Sequence, residues 1–322
     1  MNQLQEIQAK LEQAKRVAIF THVNPDGDAL GSSFAMKAAL EALGKTAVVF
    51  LEKEMPEKYG FLSKGYCLSG EASDFDVALA LDCGALGRLG SLEPMFQAIE
   101  TKLVVDHHFS DVPFGDLYYT EIQSAACAEL VFLLVKNMCG TLPASTLVPI
   151  YTGISTDTGQ FKFSNVTPRT LRIAAELLEL GLDHRDITRR LYDTVKLAKL
   201  KFTGVLAEKI KLFYDGKIAV LECFDSFLES HGLSHEEVEE LPNTVLSVEG
   251  VEVSVIIKDK DAESFKVSMR CKENIDLALL ASSFGGGGHK CAAGFVSELS
   301  LSELTETLVQ EIAKRLEAFY GR

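Results

Sequence analysis

The sequence lacks a basic excess. Lysine and arginine number 32 against 46 aspartates and glutamates, giving a formal net charge of −14. The deficit is spread along the chain, with 14 basic against 23 acidic residues up to position 184 and 18 against 23 beyond it. Proteins that track long duplex present a broad positive face. Neither half is such a platform, so a nucleic-acid substrate has to be short and held in a local pocket. Long apolar runs are also missing, since none reaches the ~18 residues a membrane span needs. The N-terminal stretch MNQLQEIQAKLEQAKR is polar and helix-patterned and has no signal-peptide core. These absences predict a cytoplasmic protein with no membrane partner. The seven cysteines (67, 83, 127, 139, 223, 271 and 291) are odd in number and include no C-x-x-C pair. Zinc ribbons and disulfide frameworks are therefore unsupported, and the thiols read as small apolar residues in a reducing compartment. No internal repeat occurs, and the only biased segment is a run of four glycines.

What the chain does have is enough apolar residue to build real cores. Of 322 residues, 47% are hydrophobic and 24% charged, and at roughly 150 residues per domain the length predicts two domains. The first half alternates apolar runs with helical patterns. Strands are expected at Val17–Phe20, Ala47–Leu51, Val77–Leu81 and Leu103–Val105. Helices are expected over Ala29–Leu43 up to Gly44, Ser124–Lys136, Ala144–Ile150, and from the Thr167-Pro168 start to Gly181. Alternating strands and helices predict an α/β fold with a parallel sheet covered on both faces. Residues 185–210 read as a long helical connector. Beyond it, Ile210–Tyr214 and Ile218–Cys223 flank Asp215-Gly216 as a hairpin, with further strands at Val251–Lys258 and Phe265–Arg270 and a closing helix over Leu301–Phe319. That pattern is a smaller α+β domain. The expected boundaries are 1–184, 185–210 and 211–322.

Ligands of open parallel sheets bind beyond the carboxyl ends of the strands. Acids and histidines collect there. His22, Asp26 and Asp28 follow the first strand, Asp82 follows the third, and Asp106, His107 and His108 follow the fourth. Asp157 closes a further apolar stretch, so four segments bring Asp or His to one edge of the sheet. Any one aspartate alone is a helix cap or a turn residue; the coincidence of four segments is what points to chemistry. Crowded carboxylates repel and raise one another's pKa. Asp26, Asp28, Asp82 and Asp157 carry about −4 when ionised, which two divalent ions balance. Carboxylate and imidazole ligands suit Mn²⁺ or a similar octahedral ion, and a metal pair ~3.5–4 Å apart is one standard arrangement for phosphoester hydrolysis.

In the second domain, Gly285, Gly286, Gly287, Gly288 and His289 follow a short helical stretch at Asp276–Ser282. Consecutive glycines let backbone N–H groups approach a phosphate closely. Upstream, Ser268-Met269-Arg270-Cys271-Lys272 lies on a strand that can deliver cations.

The blocks HVNPDGDALGS (22–32), LDCGALGRLG (81–90), VVDHHFS (104–110) and GISTDTGQF (153–161) resemble the four motifs of the DHH phosphoesterases. The tail SMRCKENIDLALLASSFGGGGHKCAAGF (268–295) resembles the DHHA1 domain that accompanies them. The two-domain layout is most similar to bacterial oligoribonucleases that degrade nano-RNA and often act on 3′,5′-bisphosphonucleotide (pAp). The resemblance implies that His22, Asp26 and Asp82 hold one manganese ion. It implies that Asp28, Asp82, His107 and Asp157 hold the other, with Asp82 bridging. By the same resemblance Asp106 orients a ligating imidazole, and His108 meets the substrate phosphate as hydrogen-bond donor or general acid. Arg270 and Gly285–His289 match substrate-holding residues, Lys272 less directly. Ala85 departs from the polar or acidic residue common there.

The expected activity is Mn²⁺-dependent hydrolysis of very short RNA to nucleoside 5′-monophosphates, together with pAp phosphatase activity. A cyclic-dinucleotide or linear pApA/pGpG phosphodiesterase is the competing reading. A family-II pyrophosphatase, a recombination-type exonuclease and a non-catalytic nucleotide sensor fit less well, because the glycine–histidine loop, the chain length and the full ligand set speak against each in turn. A homodimer is compatible with the sequence.

Overall fold

The computed structural model of the chain describes residues 3–62, 65–108, 112–233, 238, 240–261, 263–272 and 274–321. It divides into two compact units, Met1–Thr194 and Val195–Arg322. Phe109 and Ser110, which end one of the quoted motifs, lie outside the described residues.

The first unit runs α1 (Gln3–Gln13), β1 (Arg16–Phe20), α2 (Gly27–Ala42), β2 (Thr46–Phe50), β3 (Tyr66–Cys67), β4 (Val77–Leu81), α3 (Glu93–Ala98), β5 (Thr101–Asp106) and β6 (Leu117–Thr120). Four helices follow, α4 (Cys127–Cys139), α5 (Ala144–Asp157), α6 (Pro168–Glu179) and α7 (His184–Leu191). The six strands are all parallel, in the order β3-β2-β1-β4-β5-β6. Chain order reverses between β1 and β4, and such a switch point opens a crevice at the carboxyl ends of the strands.

Alternation along the central strands fills both faces. Val17, Ile19, Leu79 and Val105 join Leu30, Met36 and Ile154 in one core. Ala18, Phe20, Ala78, Ala80 and Val104 join Phe50 and Phe96 in the other. Phe20 stacks on Phe50 and meets Phe96 edge-on, each at 5.5 Å between centroids; burying one such ring contributes about 1.5–3 kcal/mol. All five residues of β4 are buried, which is why its run carries no polar position.

The sheet is wider than the sequence reading. β3 has two residues and β6 four, too short for periodicity to register. A second difference matters more for the site. The helix expected to stop at Ile150 runs seven residues further, through Asp157, so the fourth acidic segment is a helix C-terminus and not a strand end. Pro149, the sixth residue of this helix, has no N–H to give the carbonyl of Ser145 one turn back.

The second unit runs α8 (Leu197–Ala207), β7 (Lys211–Phe213), β8 (Ile218–Glu222), α9 (Asp225–Ser230), α10 (Leu241–Leu246), β9 (Val253–Asp259), β10 (Phe265–Cys271), α11 (Leu277–Ser282), β11 (Gly287–His289), β12 (Ala292–Ser297) and α12 (Leu301–Tyr320). Its mixed sheet has the order β11-β12-β10-β9-β8-β7, with only β8 and β9 parallel. Leu304, Leu308, Ile312 and Leu316, spaced by four, put one stripe of α12 onto Val220, Val255, Val267 and Met269. The continuous connector expected over 185–210 is broken at Tyr192–Lys196 into α7 and α8, and the unit boundary falls at that break.

Candidate metal centre

The first acidic segment is built by a helix start. Asp26 is the N-cap of α2, its Oδ1 accepting from the N–H groups of Asp28 and Ala29 at 3.0 Å each. The turn reading of Asp26 is thus correct, and it fixes the carboxylate at the crevice. Asp28, the second residue of the helix, is 1% exposed. It takes a second task, because α4 begins at Ala126 with no side-chain cap. Asp28 accepts from the N–H of Cys127 at 2.6 Å and of Ala128 at 2.9 Å, serving as a remote cap for that helix. The close approach of α2 and α5 rests on glycines. A Cβ on Gly31 would lie 2.4 Å from the Pro149 carbonyl oxygen, and one on Gly27 2.4 Å from Thr156 Oγ1. That contact brings the start of α2 beside the end of α5, and so Asp28 beside Asp157.

Asp82, immediately after β4, is 1% exposed and holds a left-handed backbone, φ 54°. L-residues avoid that region, and such strain gathers at functional positions. His22 Nδ1 donates to the Val23 carbonyl at 2.7 Å, and His107 Nδ1 to the Ser124 carbonyl at 3.1 Å. A carbonyl can only accept, so in both rings Nδ1 carries the proton and Nε2 faces inward.

The structure brings these groups together. His107 Nε2 lies 3.4 Å from Asp157 Oδ2, 3.5 Å from Asp82 Oδ1 and 3.7 Å from Asp28 Oδ2. His22 Nε2 lies 3.9 Å from Asp82 Oδ2. Ligand atoms of His22, Asp26 and Asp82 stand within 4.8 Å of one another, as do those of Asp28, His107 and Asp157, and those of Asp82, His107 and His108. His107 Nε2 and Asp82 Oδ1 are buried without a hydrogen-bond partner. Carboxylate oxygens and an imidazole nitrogen crowded together in a buried site cost free energy unless positive charge, a proton or a metal cation, lies between them. The donor set, carboxylate with imidazole, fits divalent cations of the Mn²⁺ type.

The electrostatics agree. Burial first, then Asp82 and Asp157, push the Asp28 carboxyl well above its usual range. Burial, with Asp82 and Asp26, raises Asp157 to about 7, although His107 opposes it. Burial works against ionised Asp82 too, but His107 and His108 prevail and hold it below the usual carboxylate range. Burial likewise disfavours the His107 imidazolium, yet Asp82, Asp28 and Asp157 raise it to about 9. Asp28 and Asp157 are thus the carboxylates that further positive charge in the cluster would favour in the ionised form.

Asp106 differs from its expected role. Its Oδ1 accepts from the backbone N–H of His107 at 2.7 Å, the N–H of His108 at 3.1 Å, and His108 Nδ1 at 2.9 Å. It therefore orients His108, while His22 and His107 are held by backbone carbonyls. As the last residue of β5, its side chain curls over its own following turn, as Asx side chains do. Asp106 and then Asp82 raise His108 to about 10.

In the second unit, Arg270 and His289 line a groove of about 530 Å³ with Lys266, Ser268, Gly287 and Gly294. Four expected residues stand elsewhere. Gly285, at φ +75°, and Gly286 end α11, their N–H groups bonded to the carbonyls of Ser282 and Ala281 at 3.1 and 2.9 Å. Those two amides are committed to a helix cap and do not form a phosphate cradle. Lys272 lies past the end of β10 and does not line the groove. Gly288 belongs to β11, paired with Ala293, so the expected loop is in part a strand. Lys266 was missed, although period-two alternation from Arg270 through Ser268 puts it on the same face.

Sequence reasoning also missed the supports behind the ligands. Glu129 is fully buried on α4, bonded to Arg169 Nε at 2.8 Å and approached by Ser124 Oγ at 3.2 Å. Arg169 also reaches Glu121 at 2.5 Å. Main-chain acceptors such as the Ser124 carbonyl, which orients His107, have no side-chain signature, so no sequence pattern could reveal them.

A parallel sheet with an acid–imidazole cage at its switch point, followed by a mixed-sheet unit with a basic glycine-rich groove, defines a family, and comparison with known proteins agrees. Residues 16–154 match the DHH family, N-terminal domain, and residues 215–320 match the DHHA1 domain. The chain belongs to the DHH family. It is 32% identical over 306 residues to the bifunctional oligoribonuclease and PAP phosphatase NrnA of Thermus thermophilus, covering 93% of this chain and 90% of that one. The protein of the same name from Bacillus subtilis is 27% identical, covering 86% and 88%. Among solved structures, an exopolyphosphatase-related protein from Bacteroides fragilis superposes with a TM-score of 0.89 at 26% identity, over 98% of this chain and 97% of that one. Among the described residues, no helix is long and apolar enough to cross a membrane.

Proposed function

We propose that this chain is a metal-dependent phosphoesterase that hydrolyses very short RNA to nucleoside 5′-monophosphates and removes the 3′-phosphate of pAp. The observation that carries the reading is the buried, unpartnered His107 Nε2 facing the carboxylates of Asp28, Asp82 and Asp157. The two NrnA relatives, similar over most of their length, support the substrate class.

In this reading His22, Asp26 and Asp82 hold one divalent cation, and Asp28, Asp82, His107 and Asp157 hold a second. Two Mn²⁺ ions, when bound, supply Lewis acidity that lowers the pKa of a water and offsets charge on the phosphoryl oxygens. The protein's own part is orientation. The carbonyls of Val23 and Ser124 fix the two imidazoles with Nε2 inward. Asp106 fixes His108, whose ring edge serves the substrate phosphate as hydrogen-bond donor or general acid. Arg270 and His289 are the second unit's candidates for holding a substrate phosphate. The acidic chain gives long duplex no surface to follow, and its free cysteines suit a cytoplasmic location. A homodimer is compatible with this reading, and sedimentation checks it.

The test is a product time course with Mn²⁺ over RNAs from dinucleotides to decanucleotides, pAp and cyclic di-AMP. Dinucleotides and pAp are consumed, and Asp82→Ala abolishes turnover while the fold persists. Intact dinucleotides and pAp sink the proposal; preferential loss of cyclic di-AMP favours the competing phosphodiesterase.

A further inference from the structure

Asn165 sits in the stretch between α5 and α6 and is exposed. Its Nδ2 donates to the carbonyl of Asp157 and to the carbonyl of Ala125, each at 3.0 Å. Both partners only accept, so the amide nitrogen must be the atom that faces them, and its two hydrogens are both used. Asp157 closes α5, and its carbonyl is one that the helix cannot satisfy itself. Ala125 lies between Ser124, whose carbonyl orients His107, and Cys127 and Ala128, whose N–H groups hold Asp28. One side-chain amide thus ties together the backbone beneath Asp157, His107 and Asp28.

The chain takes a strained route to make this bridge. Gly159, Gln160 and Phe161 have φ of +54°, +62° and +62° in succession, although L-residues avoid that region. The turn is held by Thr158, whose Oγ1 donates to the Ile154 carbonyl at 2.6 Å and accepts from the Phe161 N–H at 3.1 Å. The Gln160 N–H donates to the Ser155 carbonyl at 2.8 Å, and the Phe161 ring packs against Tyr151. A glycine at position 159 alone would end the helix. The further left-handed residues reverse the chain and return Asn165 to the residue that α5 presents.

We propose that Asn165 is a positioning residue that keeps Asp157 in register with the segment supporting His107 and Asp28, and so tunes one cation site and not the other. The inference rests on Asp157 being a ligand, as in the proposed function.

The experiment is calorimetric titration of the full chain with Mn²⁺, for wild type, Asn165→Ala and Asn165→Ser, alongside thermal unfolding without metal. Wild type takes up two ions. In Asn165→Ala, affinity falls about tenfold or more at one of them, the size seen when a partner behind a ligand is removed. The other stays within about twofold, and the metal-free Tm moves by no more than about 2 °C, as expected for an exposed side chain. Asn165→Ser, which keeps one short donor, falls between, and excess Mn²⁺ restores kcat in both variants. Unchanged affinity at both sites overturns the proposal. So does equal weakening of both with a fall in Tm, which marks a general structural role. A wild-type chain that binds no Mn²⁺ overturns the cage itself, and this assignment with it.

Discussion

Gly31→Ala perturbs the contact that holds the two halves of the site together. The new Cβ would stand 2.4 Å from the Pro149 carbonyl oxygen and 2.8 Å from the Gly153 nitrogen, both backbone atoms. Ordinary contact begins near 3.4 Å, so α2 and α5 must part by about 1 Å. Overpacking of this kind costs about 1–3 kcal/mol, while alanine in place of helical glycine returns about 1 kcal/mol. The net destabilisation is therefore about 0–2 kcal/mol. The effect on turnover is larger, because α2 carries Asp26 and Asp28 and α5 ends in Asp157. A 1 Å misplacement of such groups lowers the rate about a hundredfold. Urea unfolding and RNA turnover in Mn²⁺ measure the two quantities separately. Gly204→Ala is the control, since Gly204 lies exposed in α8 with nothing within 4 Å of its added Cβ; it should gain about 0.5–1 kcal/mol and leave turnover unchanged. Full turnover in Gly31→Ala, or stabilisation matching the control, would refute the packing argument.

Other perturbations have equally definite outcomes. Arg169→Ala leaves the fully buried Glu129 carboxylate without its cation, and urea unfolding should show a loss of about 3–5 kcal/mol; a loss below about 1 kcal/mol would contradict a structural role for the pair. A thiol reagent at mild alkaline pH should modify exposed Cys67 at once. It should reach Cys83, whose thiol burial pushes up to about 12, and buried Cys127 only on unfolding. Asp76 accepts from the N–H groups of Lys15 and Arg16 at 2.8 and 2.9 Å, which hold its carboxyl below the usual range. Its stabilisation is present above the unfolded carboxylate pKa and is lost as pH falls through the lower folded value. Asp76→Asn should therefore flatten the acid limb of a Tm-against-pH curve slightly, the group being exposed; an unaltered acid limb contradicts the capping role.

Much of this organisation is legible in the residues. The strands after which His22, Asp82 and Asp106 fall are continuous apolar runs, and a parallel sheet buried on both faces produces that pattern. The candidate metal-holding residues are legible because several acids recur after such runs. Asp157 closes a helix that the sequence pattern ends seven residues early, since an apolar stretch of mixed period does not mark where a buried helix stops. The glycine run was misread in part because a glycine suits a helix cap as well as an anion cradle, and only the hydrogen-bond partners of Gly285 and Gly286 separate the two. Asn165, Glu129 and Arg169 looked like ordinary polar residues. Their roles come from backbone groups far away in sequence, which no local pattern records.

The central claim is that side chains from four segments cage a pair of divalent cations. Anomalous diffraction at the manganese edge, from crystals grown with Mn²⁺, tests it most directly. The account predicts two peaks about 4 Å apart, on either side of Asp82, one beside His22 and Asp26 and the other beside Asp28, His107 and Asp157. Absence of both peaks, or manganese bound away from Asp82, would contradict it.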